Sequence, residues 1–188
     1  MVTVLNKTTI NTTEKELMWR YNGKKRPDFA ETTEEGEESV WDYPRPPALS
    51  PDRRTVEVRW MGNKIAYSTN TVRLLETASP PGFYIPPDDV DTSIFKNSDR
   101  SSFCEWKGAA SYYDLNIEGN TLTMAAWSYE NPNPPFSSIG GYISFYPGKV
   151  DCFVNSIKVK PQPGQFYGGW ITPEIVGPVK GEPGTGGW

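Results

Sequence analysis

Proline and glycine cut this chain into pieces too short for long helices. Its 18 prolines and 17 glycines are interspersed with seven tryptophans, ten tyrosines and eight phenylalanines, so breaks in regular structure are dense while large packing side chains are plentiful. Short strands joined by turns satisfy both conditions. Apolar and polar residues alternate over residues 55–60, and across Met61-Gly62-Asn63 they meet residues 64–68 in a predicted β-hairpin. Residues 71–76 read as a third strand, and 82–87 as a short fourth one bounded by prolines. Residues 111–118 and 121–127 form the clearest hairpin, with Gly119-Asn120 at its tip. Residues 151–154 and 157–160 form another, joined by Asn155-Ser156. Helical spacing is confined to two places: a brief helix over 88–95 with Asp88 as N-cap, and 134–146, where apolar residues fall at 136, 139, 143 and 146 around Gly140-Gly141.

The expected architecture is a mainly β, compact single domain of antiparallel, barrel-like or tent-like sheets, with one or two short helices and long Pro/Gly-rich arms. A chain of 188 residues with 36% hydrophobic residues can fill one core. Residues 1–38 form an N-terminal arm, partly flexible, with the basic cluster Lys24-Lys25-Arg26 and the acidic run from Glu34 to Glu38. The domain spans 39–188. Within it, 39–53 is an extended segment pinned by Trp41 and Tyr43, and 161–188 is a tail carrying Phe166, Tyr167, Trp170, Ile171 and Trp188. Such aromatics serve a tail that wraps its own domain or docks on a second copy.

Composition also excludes functions. The net charge of −4 offers no general attraction to phosphate backbones, so nucleic acid is not an expected partner. No run approaches the ~20 apolar residues of a membrane helix, and the start lacks a secretory pattern. The expectation is a cytoplasmic protein without a membrane partner, in which the Asn6 and Asn11 glycosylation patterns are chance matches. There is no histidine, which removes Ser-His-Asp and Cys-His catalysis and any His-ligated metal. Any reaction would have to use carboxylates, lysine, tyrosine, cysteine or a borrowed cofactor. No cofactor and no metal are predicted; Asp88, Asp89 and Asp91 read as an acidic first turn. Whether the chain is an enzyme stays open.

A series of words in one order carries a family resemblance: Ser39-Val40-Trp41-Asp42-Tyr43-Pro44-Arg45-Pro46-Pro47, Arg73-Leu74-Leu75-Glu76-Thr77, Tyr84-Ile85-Pro86-Pro87-Asp88-Asp89-Val90, and Phe103-Cys104-Glu105-Trp106-Lys107-Gly108 running on to Tyr113. Ala126-Trp127-Ser128-Tyr129, Phe145-Tyr146 and Phe166-Tyr167-Gly168-Gly169-Trp170 continue it. The chain resembles the domain of unknown function 427 family, sometimes labelled nucleotidyltransferase-like, over about residues 38–188. The resemblance implies a compact β domain, similar to the β-tent group, and no established reaction. The label suggests a Gly-Ser pair followed by an Asp-x-Asp metal pair; there is no such Gly-Ser pair, Asp89-Val90-Asp91 sits at a predicted helix start without a preceding phosphate loop, and Cys-x-x-Cys knuckles are missing. Members often place histidine just before the cysteine of the Cys-x-x-Lys-Gly word; this chain has Phe103.

The candidate ligand-binding residues are Arg73, Glu76, Tyr84, Cys104, Lys107, Tyr112 and Trp127. Aromatics with polar tips can wall a pocket for a small polar or anionic ligand, and a thiol three residues from an ammonium can be activated where both face one concavity. Arg73 and Glu76, three apart on a strand, point to opposite faces. The alternative is a non-catalytic interaction or homodimerisation module built on the aromatic tail.

Overall fold

The computed structural model describes residues 19–164 and 166–188; residues 1–18, with Asn6 and Asn11 and the start of the arm, lie outside the described residues, as does Gln165. Val56–Trp60 pairs antiparallel with Asn63–Ser68. Met61 and Gly62 at the tip have φ of 51° and 79°, the turn whose twist matches that of the strands it joins. Asp151–Val154 pairs on the other side of Val56–Trp60, and Ile157–Lys158 completes a four-stranded sheet. A second four-stranded sheet runs Ile143–Phe145, Asn120–Ser128, Gly108–Ile117, Phe95–Cys104. A third is Ala48–Asp52, Thr71–Glu76, Ser79–Tyr84. The chain is mainly β, and its sheets stay open rather than closing into a barrel. Among the described residues no helix is long and apolar enough to cross a membrane.

Local chemistry moved several boundaries. The fourth strand begins at Ser79 and runs through Pro80-Pro81; it borders only one strand of its sheet, and an edge strand tolerates missing N–H donors. The tip of the central hairpin is Glu118-Gly119, at φ 50° and 83°, because Asn120 already pairs with Ile117. In place of a helix over 88–95 there are two 3-10 turns, Pro87–Asp89 and Thr92–Ile94. Asp88 sits inside the first of these, and the capping carboxylate is Asp91, which accepts the Ser93 N–H at 3.1 Å. The second helix reduces to a 3-10 segment, Pro134–Ile139, ended by Gly140-Gly141 before the strand Ile143–Phe145.

The main core lies between the first two sheets, where Val56, Val58, Ile65 and Val154 meet Leu115, Ala126, Ile143 and Phe145. The tail enters it. Trp170 is fully buried, stacks on Phe83 at 4.8 Å and donates its indole N–H to the Phe145 carbonyl at 3.0 Å. The 39–53 segment has its own cluster: Trp41 is fully buried, edge-on to Tyr21, Phe29 and Trp188 at 5.1–5.2 Å. Glu38–Ser39 pairs in parallel with Ile175–Val176, so segment and tail fasten each other.

Arg54 joins Asp52 on the third sheet to Glu174 on the tail. Burial would raise both carboxyls. For Asp52, hydrogen bonds from the Arg54 side chain and backbone outweigh it; for Glu174, those from Thr172 and Arg54 do, so both are held below their ordinary values. A depressed folded value gives stability that is present above the unfolded value, about 4, and lost as pH falls through the folded one. The melting temperature should therefore drop as pH is lowered below about 4, and less steeply in Arg54→Met, which a series of melts from pH 6 downward measures.

Candidate ligand-binding site

A cavity of about 450 Å³ opens on the face of the central hairpin opposite the main core. Alternation puts it there: Tyr113 and Ala126 face the main core while their neighbours Tyr112 and Trp127 face the cavity. A register shift between Tyr113 and Leu115 follows, and Met124, at φ 49°, donates its N–H to Asp114 at 2.8 Å. Leu74 and Glu76 line the cavity from one strand, and Tyr84 from the end of the next. The turn between Cys104 and Gly108 brings in Cys104, Glu105 and Lys107. Asn133 holds that turn, donating its side-chain N–H to the Trp106 carbonyl at 2.7 Å and its backbone N–H to the Lys107 carbonyl at 2.9 Å. Gly108 at φ 99° makes this possible.

Six of the seven candidate residues thus border one cavity: Glu76, Tyr84, Cys104, Lys107, Tyr112 and Trp127. Arg73 does not. It projects from the other face of its strand to Glu38 at 3.1 Å and Asp52 at 3.3 Å, a structural tie in place of a ligand contact. Sequence reasoning missed Trp19, Gln162, Tyr167 and Lys180, which the arm and tail deliver to the rim. No motif marks them, and the contacts that bring Trp19 to the rim, with Glu105 and Lys180, are remote in sequence. Trp19 is held between two cations, with the Arg45 guanidinium 4.3 Å and the Lys180 ammonium 4.4 Å from its ring, while its indole N–H donates to Glu105 at 2.9 Å. Trp170 does not fill the cavity, since it belongs to the main core.

The rim depends on two glycines. A Cβ at Gly168 would lie 2.2 Å from the Trp127 indole, and one at Gly169 would lie 2.4 Å from Gln162 Oε1, the atom that accepts the Gly169 N–H at 3.0 Å. Gly168→Ala should cost about 1–3 kcal/mol, whereas Gly186→Ala, with open space around it, should be nearly neutral. Denaturant midpoints of the two variants compare them.

The electrostatics are uneven. Glu76 accepts from the Arg45 guanidinium at 3.3 Å, and Arg45, with a fully buried side chain, also donates to the Tyr21 and Thr77 carbonyls at 2.9 and 2.8 Å. Burial lowers the Arg45 and Lys180 pKa values. Lys180 donates to the Trp188 backbone oxygen at 3.3 Å. Lys107 is only 6% exposed, and it enters none of the ion pairs among the described residues. Its ammonium stands 5.4 Å from the Tyr129 ring centre. Burial disfavours the charged form, yet Tyr84, Cys104 and Glu76 together outweigh burial and its pKa is raised. Burial pushes the phenols of Tyr84, Tyr129 and Tyr146 up in turn. With their pKa values raised, these hydroxyls keep their protons at neutral pH and can donate hydrogen bonds.

Such a site can hold an acceptor-rich anion against aromatic walls. Cys104 lines it beside Lys107, while Cys152 lies in the main core, where burial raises its pKa well above the ordinary value. Among the described residues no three Cys, Asp or Glu side chains gather as a metal site would require. The family model described as domain of unknown function (DUF427) matches residues 48–156, more than half of the chain. That stretch supplies the cavity floor from Leu74 to Tyr146, and the rim from Trp19, Tyr167 and Lys180 lies outside it. No curated protein matches the chain.

Proposed function

The chain belongs to the DUF427 family, and from that premise we propose that it binds a small anionic ligand in the aromatic-walled cavity beneath Trp19 and Tyr167. The observation that carries this reading is Lys107, a buried ammonium on the cavity wall that enters no ion pair among the described residues. Leaving a charge in such a place costs several kcal/mol, a cost that an arriving anion removes. A cavity of about 450 Å³ is within the ordinary range for small-molecule sites. The absence of histidine confines any chemistry to the lysines, Cys104 and the carboxylates, and binding alone needs none of them to react.

The tail bears on the alternative of a homodimerisation module. Trp170 is buried in the chain's own core, and Trp188 packs on the same chain's Trp41 and Phe29, so both tail tryptophans are occupied within the chain and only Phe166 of the tail aromatics is largely exposed. This supports ligand binding as the first reading.

Thermal melts of the full chain with small anionic, neutral and cationic aromatic compounds test the proposal. Anions should raise the melting temperature in a concentration-dependent way. Equal response to all three classes, or response to cations alone, would overturn it.

A further inference from the structure

Resting on the ligand-binding reading above, we infer that the ligand is an aromatic monocarboxylate, seated with its carboxylate at Lys107 and its ring against Trp127. The charge count around the cavity sets the ligand's charge. Among the described residues Arg45 is committed to Glu76, and Lys180 lies over the Trp19 ring and donates to the Trp188 oxygen, while Lys107 enters no ion pair. Lys107 thus presents one positive charge to a ligand. A monoanion neutralises it; a phosphate dianion would leave a negative charge uncompensated among apolar walls, a costly state.

The polar groups at that end are matched to a carboxylate. Lys107 has three donor hydrogens and no acceptor, and burial keeps the Tyr84 and Tyr129 hydroxyls protonated beside it. An ionised carboxylate only accepts, so it can take hydrogen bonds from all three groups, whereas an amide's NH₂ finds no acceptor in the Lys107 ammonium.

The walls select the ring. Trp127 stands 4.5 Å from Tyr146 and 6.5 Å, edge-on, from Tyr84, so the wall is a group of touching rings against which a further planar ring can pack. At the mouth, Phe103 and Phe166 line the cavity while remaining 76% and 70% exposed. Apolar side chains so exposed at a cavity mouth fit a ligand whose apolar body extends outward from an anchored carboxylate.

Titration calorimetry of the full chain with four probes tests the assignment: 2-naphthoate, 2-naphthamide, 2-naphthyl phosphate and acetate. The expected result is binding of 2-naphthoate, affinity at least ~10-fold lower for the amide and the phosphate, and no detectable binding of acetate. Tighter binding of the phosphate would overturn the monocarboxylate and leave the anion site standing. Equal binding of the amide would show that charge is not recognised and would overturn both. Acetate binding as tightly as 2-naphthoate would remove the aromatic requirement. No binding of any probe would overturn the inference together with the function it rests on.

Discussion

Lys107→Met should leave the empty protein as stable as the natural chain, or more stable, while removing its response to aromatic carboxylates. The methionine stem fills nearly the same space, and the substitution relieves the fold of a buried charge with no ion-pair partner among the described residues, a change that is often neutral or stabilising. The cation–π contact with Tyr129 at 5.4 Å is lost, at a cost of about 2 kcal/mol for a desolvated pair, which the several kcal/mol of removed desolvation offsets. Binding moves the other way, because a hydrogen bond to a charged group is worth about 1.5–3 kcal/mol, so affinity should fall about 10- to 100-fold. Melts with and without 2-naphthoate read both effects on one sample. A purely structural lysine would show the opposite: a lower melting temperature in the empty variant and an unchanged response to ligand.

Trp170→Ala should come close to unfolding the chain. The side chain is fully buried between the two larger sheets, stacked on Phe83 and hydrogen-bonded to the Phe145 carbonyl. Large-to-small substitution of such a residue costs about 3–5 kcal/mol, and leaving the carbonyl without its donor adds to that cost. Against a total stability of about 5–15 kcal/mol, the expected fall in melting temperature is about 10 °C or more. Trp170→Phe keeps much of the stack and loses the hydrogen bond, and should fall between the natural chain and alanine. If Trp170→Ala shifted the urea midpoint no more than an exposed substitution such as Ile157→Ala, the tail would not be part of the core.

The sheets were legible because alternation and turn chemistry are local. Residues 56–60 and 63–68 display their inward and outward faces directly, and Gly62 and Asn155-Ser156 mark turns where positive φ is needed. The same rule separated Arg73 from Glu76 before any coordinates, and the fold places them on opposite faces. The boundaries failed where two local rules competed. Pro80-Pro81 reads as a strand stop, yet an edge position needs no donors there. Asp88 and Asp91 both look like caps, and only backbone geometry selects Asp91. In the site, Tyr84, Cys104, Lys107, Tyr112 and Trp127 were readable as polar and aromatic words within the sheets. Trp19 and Lys180 were not, because their role exists only once arm and tail cross the cavity mouth and place a ring between Arg45 and Lys180.

The central claim is that the buried Lys107 ammonium, in no ion pair among the described residues, is the anchor of an anion site, and the structure of the full chain with bound 2-naphthoate tests it most directly. The account predicts the carboxylate in the cavity with an oxygen about 2.7–2.9 Å from Lys107 Nζ and the ring against Trp127. A ligand seated elsewhere, or one in the cavity with its carboxylate turned outward past Phe103 and Phe166, would contradict it.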